Sequence, residues 1–264
     1  MQATMQLSSP NNPILKNIRR ASKEGKPTDS GYIAIEGPHL LAEALQPNSK
    51  WTVQRIFTTS AALSRYAELL RDAAPKITEV SARALHSLST TETTREIVAL
   101  VRPPKWSWTD LRGEAGVILV LDGMQDPGNA GTLVRSAEAF GAAGVIFLEG
   151  CVRIANGKFL RATAGSIFRI PFLEGIAGRE MIAENMASHL PLYALTADGS
   201  LLLGRIDFSR PCAVVVGSEG QGVSGDILAE AQTVAIPTSN VESLNAAVAG
   251  SIALFEAARQ RVAG

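Results

Sequence analysis

The chain has few of the residues that hold metal ions or form disulfides. Its 264 residues include two cysteines and three histidines. Cys151 and Cys212 both lie among apolar residues without Cys-x-x-Cys spacing, and the histidines are scattered along the chain. We therefore expect no metal site and predict two buried free thiols.

Long apolar runs are also missing. The run GVILVL at residues 116–121 is far shorter than the roughly 20 residues that cross a bilayer, and it is typical of a buried strand. The first residues, MQATMQLSSPNNP, have no basic region followed by an apolar stretch, so they do not resemble a secretory signal. We expect a cytoplasmic protein that has no membrane contact.

The net charge of zero conceals an uneven distribution. Residues 1–112 hold fifteen Lys or Arg against ten Asp or Glu, a charge of +5, whereas the remainder holds ten against fifteen, a charge of −5. The cations are concentrated early, at Lys16, Arg19, Arg20, Lys23 and Lys26. Such a cluster is either a solvated helix face or a patch that binds nucleic-acid phosphates, and charge alone leaves both alternatives open.

Apolar periodicity predicts two α/β units. The first begins with a basic helix in which Ile14, Ile18 and Ala21 recur at helical spacing. Four strands are expected at 32–37, 53–59, 76–80 and 96–101, with helices in HLLAEAL and LSRYAELLRDAA between them. This alternation implies a largely parallel sheet. The Pro- and Gly-containing stretch at about 102–115 is the predicted linker.

The second unit begins at Gly116. Its predicted strands are nearly continuous apolar runs, as expected when helices cover both faces of a parallel sheet: VILVLDG, GVIFLEG, LYALTA, CAVVVG and TVAIP. A last helix is expected from about 243 to 262. It carries an apolar stripe of Leu244, Val248, Ile252 and Phe255, and small residues that suit close packing inside the unit or between subunits, namely Ala246, Ala249, Gly250, Ala253 and Ala257.

Three segments of the second unit combine a strand, a turn and a helix with polar residues. In VVVGSEGQGVSGDIL the glycines free backbone amides for a ligand, but fewer than fifty residues follow, too few for a dinucleotide-binding sheet. In DGMQDPGNAGTLVRSAEAFGA, Asn129 is either a helix cap or a site residue, and Arg135 either pairs with Glu138 or acts in a site. The third segment places Ser243 and Asn245 at the opening of the last helix, where capping explains only one of them easily.

In order and content these segments resemble the three motifs of the SpoU family of RNA ribose methyltransferases, within the SPOUT superfamily. The matching stretches are NAGTLVRSAEAFG, VGSEGQGV and IPTSNVESLNAAVA. The N-terminal stretches NPILKNIRRA, YIAIEGPHLLAEAL and LSTTETTREIVALV resemble the family's substrate-binding domain. The last of these departs from the family, in which Pro-Gln-Gly is common where this chain has Thr94, Arg95 and Glu96.

The resemblance implies an RNA-binding domain at 1–112 that is similar to ribosomal proteins, and a methyltransferase domain at 116–264 tied in a deep trefoil knot. It implies S-adenosylmethionine as cofactor, RNA as substrate, a homodimer and no metal. The catalytic residues carried over are Asn129, Arg135, Glu219, Ser243 and Asn245. The implied cofactor-binding residues are Thr196, Ala197, Gly217, Ser218, Glu219, Gly220, Ile236, Pro237, Ser243, Leu244 and Asn245, and the RNA-binding residues are Lys16, Arg19, Arg20 and Lys23.

The resemblance implies methyl transfer to a ribose 2′-hydroxyl, of 23S ribosomal RNA in preference to transfer RNA. A guanidinium stays protonated in nearly all proteins, so we interpret Arg135 as a phosphate anchor that stabilises the charge developing on the oxygen, not as a base. Asn129 and Ser243 then orient the ribose, Asn245 braces the loop, and Glu219 holds Arg135 or Asn129. Two alternatives stay open: an RNA-binding dimer without catalysis, and methylation of a base nitrogen.

Overall fold

The computed structural model describes residues 12–89, 96–112 and 116–263. Two compact units are present. One comprises Met1–Lys105 with Arg153–Arg161, and the other comprises Trp106–Val152 with Ala162–Gly264. Within the described residues, no helix is both long and apolar enough to cross a membrane.

The first unit opens with α1 (Pro13–Glu24). The Asn12 side chain caps the helix by accepting from the Ile14 backbone amide at 2.9 Å, Pro13 occupies the first turn, and Gly25 ends the helix in the left-handed conformation at φ 60°. Leu15 and Ile18 are buried, whereas Ile14 is 48% exposed. The buried stripe therefore begins one residue later than the expected stripe.

The other elements of this unit form a four-stranded sheet in the order β1-β4-β2-β3, with short helices between the strands. Their bounds are β1 Ile33–Glu36, α2 Pro38–Ala44, β2 Thr52–Thr58, α3 Ser60–Arg65, α4 Ala67–Leu70, β3 Ile77–Glu79, α5 Ala82–Leu88 and β4 Ile97–Arg102. A 3-10 helix at Arg71–Lys76 follows α4, so the single helix expected in LSRYAELLRDAA is broken into three pieces.

The expectation of a largely parallel first sheet is wrong. Only β2 and β3 pair in parallel, while β4 pairs antiparallel with both β1 and β2. Alternating helices and strands show that connections cross over, but they do not fix which strand enters between two others. Here the last strand enters between β1 and β2 and runs in the opposite direction to both.

In the second unit the strands form a seven-stranded sheet in the order β7-β6-β5-β10-β8-β11-β9, and all of its neighbours are parallel. The strands are β5 Val117–Asp122, β6 Gly144–Leu148, β7 Phe172–Ile176, β8 Leu192–Leu195, β9 Leu201–Leu202, β10 Cys212–Gly217 and β11 Gln232–Ala235. The helices of this unit are α6 Trp108–Leu111, α7 Pro127–Ala139, α9 Gly178–Ala187, α10 Gly225–Glu230 and α11 Ala246–Ala263. The remaining helix, α8 Gly157–Ala162, lies almost entirely in the segment Arg153–Arg161 of the first unit. The five predicted strands are present, and the edge strands β7 and β9 were not predicted.

The two cysteines are free thiols, as expected, but they differ in burial. Cys212 is buried on β10, while Cys151 is only partly buried and its thiol donates to the Leu121 carbonyl. Burial raises the pKa of Cys212 to about 12 and that of Cys151 to about 11. Both thiols therefore stay protonated near neutral pH, in the form that reacts slowly.

The small residues of α11 pack inside the unit. Gly250 and Ala253 are buried, and a Cβ at Gly250 would meet a methyl group of Leu133 on α7 and lie 3.0 Å from a methyl group of Val216 on β10. Val248 and Phe255 of the predicted apolar stripe point outward, since they are 47% and 52% exposed. Gly250 is thus a contact between elements of one subunit.

We predict that Gly250→Leu lowers the free energy of unfolding by about 1–3 kcal/mol, the usual cost of overpacking. Urea denaturation measures it. The matched control is Val262→Leu on the same helix. Because Val262 is 89% exposed, this substitution should leave the transition midpoint unchanged. A Gly250→Leu midpoint equal to that of the control would contradict the close packing.

Candidate active site

The candidate residues of the second unit follow four strands that are neighbours in the sheet. Strand β10 lies between β5 and β8, and β11 follows β8. Asn129 comes after β5, Thr196 after β8, Glu219 after β10 and Ile236 after β11. Because the carboxyl ends of parallel strands meet at one edge of the sheet, these residues come together there, where ligands of open α/β sheets bind.

A cavity of about 450 Å³ lies at this edge. Gly220 and Pro237 do not line it. The other nine of the eleven expected cofactor-binding residues do, namely Thr196, Ala197, Gly217, Ser218, Glu219, Ile236, Ser243, Leu244 and Asn245. The lining also includes residues outside the eleven expected ones, among them Leu195, Val216, Val234, Thr238 and Glu242. The first three of these lie in strands at the sheet edge, a position that only the strand order reveals.

One polar atom at the cavity lacks a partner. The Thr196 hydroxyl is buried without a hydrogen bond among the described residues, although its backbone amide donates to the Val234 carbonyl at 3.0 Å. An unsatisfied buried hydroxyl costs about 1–3 kcal/mol. This group is therefore suited to hydrogen-bond a polar molecule that fills the cavity.

The loop after β10 is a tight turn that depends on two glycines. The Gly222 amide donates to the Ser218 carbonyl at 2.9 Å, and Gly222 has φ 67°. A Cβ at Gly217 would collide with the Gly222 backbone. Only glycine permits this approach, which leaves Glu219 at the tip of the turn.

Three of the expected catalytic residues form one hydrogen-bonded chain. The Asn129 side-chain amide donates to the Glu219 carboxylate, and the Asn245 amide donates to Asn129 Oδ1 at 3.3 Å. Asn245 Oδ1 in turn accepts from the backbone amides of Ala247 and Val248 at 3.0 and 3.2 Å, which caps α11. Segments that are distant in sequence are thereby joined through polar side chains.

The interpretation of Asn129 as a helix cap is wrong. The cap of α7 is Asp126, whose carboxylate accepts from the Asn129 backbone amide at 2.7 Å. The Asn129 side chain is thus available for Glu219 and Asn245.

Arg135 is exposed on α7 and does not line the cavity. The alternative that it pairs with Glu138 is wrong, because the Glu138 carboxylate is held at both oxygens by Arg169, with Nη2 to Oε2 at 2.9 Å. Burial opposes ionisation of Glu138, but hydrogen bonds from Arg169 and Ser166 prevail and lower its pKa. Ser243 lines the cavity, so the structure brings four of the five candidates together and leaves Arg135 apart.

The four expected RNA-binding cations lie on α1 in the first unit. Lys16, Arg20 and Lys23 are exposed and Arg19 is partly exposed, whereas Leu15 and Ile18 of the same helix are buried. Arg20 pairs with Asp29 at 2.9 Å. Within the described residues, no group of three or more His, Cys, Asp or Glu side chains could hold a metal ion.

Comparison with known proteins assigns the family. A model described as the SpoU rRNA Methylase family matches residues 116–255, and one described as an MRM3-like substrate binding domain matches residues 12–99. The chain belongs to the SpoU rRNA methylase family. This confirms the resemblance seen in the three motifs, and the α/β fold with a parallel-sheet domain agrees with the solved structures of the family.

Similar proteins cover nearly the whole chain. An uncharacterized tRNA/rRNA methyltransferase of Synechocystis sp. is 32% identical over 97% of this chain and 94% of its own. The 23S rRNA (guanosine(2553)-2'-O)-methyltransferase of Bacillus subtilis is 29% identical over 95% of this chain and 98% of its own. The SpoU methyltransferase AviRb of Streptomyces viridochromogenes, solved with AdoMet, has a TM-score of 0.85 at 26% identity, covering 96% of this chain and 99% of AviRb.

We predict that Asn245→Ala lowers the free energy of unfolding by about 1 kcal/mol, because it removes the cap of α11. Asn245→Asp keeps the capping oxygen and should stay near the wild-type value, although it loses the donor to Asn129. Thermal and urea unfolding of both variants test this. Equal loss in the two would show that capping is not the stabilising role of Asn245.

Proposed function

We propose that the chain transfers a methyl group from S-adenosylmethionine to a ribose 2′-hydroxyl of RNA, with 23S ribosomal RNA as substrate and transfer RNA as the alternative. The observation that carries this proposal is the cavity at the sheet edge with the Asn129–Glu219–Asn245 chain at its rim. Family membership and the named activity of the Bacillus subtilis relative support it. Ribosomal RNA as substrate implies a cytoplasmic location.

The cavity fits S-adenosylmethionine in size and chemistry. Its volume of about 450 Å³ lies within the range of small-molecule sites. Its walls combine apolar side chains such as Leu195 and Leu244 with the unsatisfied Thr196 hydroxyl and backbone of the Gly217 turn. AviRb, which has the same fold, is described with AdoMet bound. We assign the eleven cofactor-binding residues expected from the motifs to this role, with Gly220 and Pro237 beyond the lining.

The cofactor supplies an electrophilic methyl group, and the protein's residues align and activate the acceptor. Asn129 and Ser243 orient the ribose hydroxyl, and Glu219 fixes the Asn129 amide by accepting its hydrogen bond. Asn245 braces the loop by linking Asn129 to the start of α11. Arg135 anchors the neighbouring phosphate and stabilises the charge that develops on the oxygen.

The first unit binds the RNA substrate. It carries the cations of α1, and residues 12–99 match a substrate-binding domain model. We propose an RNA-binding domain at 1–112 that resembles ribosomal proteins and a methyltransferase domain at 116–264 with the family's deep trefoil knot. The supporting observation for the knot is the strand order, in which β10 enters between β5 and β8 while β11 lies beyond β8. Lys16, Arg19, Arg20 and Lys23 are the proposed phosphate contacts.

We predict that the purified protein methylates ribosomal RNA taken from a strain that lacks this gene. Purified protein with labelled S-adenosylmethionine should transfer the label, and mapping of alkali-resistant linkages should place it on one ribose. Asn129→Ala should lose at least about tenfold in single-turnover rate, because the hydroxyl loses its orientation, while calorimetry should show unchanged cofactor binding. Label on a base nitrogen, or RNA binding without transfer, would favour one of the two alternative functions.

We propose further that the protein is a homodimer with two-fold symmetry. The α11 face, defined as Thr132, Phe140, Val248, Ile252 and Phe255, encloses a shallow apolar hollow of about 280 Å³. Phe140 and Phe255 meet edge to face with ring centroids 5.7 Å apart. Such exposed apolar patches mark association sites. We propose that a second copy of the chain packs on the α11 face. Ala246 and Ala249 on the same helix line the cofactor cavity, so this association places two cavities beside the interface.

This dimer explains the position of Arg135. Arg135 lies one turn after Thr132 on α7, so it borders the α11 face instead of its own cavity. We therefore place Arg135 of one subunit at the ribose and phosphate held by the other subunit.

We predict that Phe255→Glu converts the dimer to a monomer and abolishes methyl transfer, because it buries a charge in the interface. Light scattering at micromolar concentration measures the mass. The control Met186→Glu, an exposed apolar residue of α9 outside the α11 face, should stay dimeric. A wild-type monomer that is fully active would overturn the proposed dimer.

Mixing Arg135→Ala with Asn129→Ala tests the shared site. Each variant alone should transfer methyl groups much more slowly than the wild type, but a mixed dimer contains one site with both residues intact. Recovered activity supports the arrangement across subunits. Absence of recovery, when subunit exchange is verified, would place Arg135 and Asn129 in one subunit's site.

A further inference from the structure

Arg102 forms an unusual surface contact in the first unit. It ends β4 and is exposed, and its guanidinium carbon lies 4.5 Å from the centroid of the Tyr32 ring. Arg102 Nη2 also donates to the Ser30 carbonyl at 3.1 Å. These two contacts hold the guanidinium over the ring, while the residue as a whole remains exposed to solvent.

The support beneath this arginine is rigid. Tyr32 is partly buried against the core of the first unit. The turn that leads to it is closed by hydrogen bonds from the Thr28 amide to the Tyr32 carbonyl at 2.7 Å and from the Tyr32 amide to the Thr28 hydroxyl at 3.1 Å. Gly31 adopts φ 76° within it. A guanidinium held this way loses little conformational freedom when it contacts a ligand.

The same turn joins Arg102 to the cations of α1. Asp29 accepts from Arg20 at 2.9 Å and from the Asn17 amide at 3.0 Å, while the next residue, Ser30, accepts from Arg102. The described partners of Arg102 are a carbonyl oxygen and an aromatic ring, so neither neutralises its charge. Side chains of α1 and the Arg102–Tyr32 pair therefore meet at the same turn, where Arg102 adds a positive charge beside those of α1.

We propose that the Arg102–Tyr32 pair is a binding site for an unpaired RNA base, which stacks on the Arg102 guanidinium while phosphates on one side of it contact α1. This rests on the proposed function and names the form of RNA that the first unit takes. Proteins recognise single-stranded RNA by stacking its bases on aromatic rings and arginine planes. Bases within a duplex are already stacked on their neighbours, so they gain nothing from this platform.

The test compares Arg102→Lys with the wild type. Lysine keeps the positive charge but loses the plane, so a phosphate contact survives the change and a stacking contact does not. Fluorescence anisotropy with a labelled 12-nucleotide oligoadenylate and with a 12-base-pair RNA duplex measures the affinity for each RNA. A series of salt concentrations for each RNA separates the phosphate contacts from the stacking contact. Arg55→Lys is the matched control, because Arg55 is an exposed arginine on the neighbouring strand β2.

We expect Arg102→Lys to weaken binding of the single strand by about 5- to 150-fold, the range for loss of one stacked base. Duplex binding should stay within about twofold, and the slope of log affinity against log salt should not change, because the number of cations is the same. Arg55→Lys should match the wild type on both RNAs. Tyr32→Leu should weaken single-strand binding as well, since it removes the ring that holds Arg102.

Two results would overturn the platform. If Arg102→Lys binds the oligoadenylate as tightly as the wild type does, Arg102 has no stacking role. If Arg102→Lys weakens binding of both RNAs equally, the guanidinium contacts a group that single strands and duplexes share, and no unpaired base is bound. Methyl transfer to ribosomal RNA is measured in parallel with the wild type. If the wild type transfers methyl groups and Arg102→Lys has no effect on RNA binding, only the base-binding site is contradicted. If the protein binds the single strand but transfers no methyl group, only the proposed function is contradicted.

Discussion

The close approach at Gly250 is the contact on which the arrangement of the site depends. The missing side chain lets α11 lie against Leu133 of α7 and Val216 of β10. Each of these three elements carries or precedes one member of the polar chain: Asn129 on α7, Glu219 after β10 and Asn245 before α11. An apolar contact in the core thus sets the spacing of three polar side chains at the surface.

One side of α11 packs against α7 and the other side is exposed, and the side chains on the two sides differ in size. Gly250 and the buried alanines allow the helix to approach α7 closely beside the buried Leu254, whereas Val248, Ile252 and Phe255 lie on the other side. A helix that packed with its large residues inward would sit farther from α7 and separate Asn245 from Asn129. The exposed apolar surface available for association is therefore a consequence of the geometry that builds the polar chain.

Sequence patterns predicted the second unit better than the first. Nearly continuous apolar runs such as VILVLDG identify strands that are buried on both faces, whereas β7 has three exposed or partly exposed residues of five and β9 is two residues long. In the first unit, periodicity located the strands but not the position of β4, since strand order depends on contacts between distant segments. Nine of the eleven expected cofactor residues line the cavity, because each follows a strand whose carboxyl end reaches the same edge.

Helical spacing alone could not predict that Arg135 and Glu138 do not pair. Spacing of three residues makes Glu138 a plausible partner on a helix, yet such a pair contributes only about 0.2–0.5 kcal/mol. Arg169, which is distant in sequence, binds both oxygens of Glu138 in a partly buried position and so competes successfully for it. A weak local preference yields to a bidentate tertiary contact. Because Glu138 is held by Arg169, the charge of Arg135 is not neutralised by its helical neighbour, which is compatible with its proposed contact to an RNA phosphate.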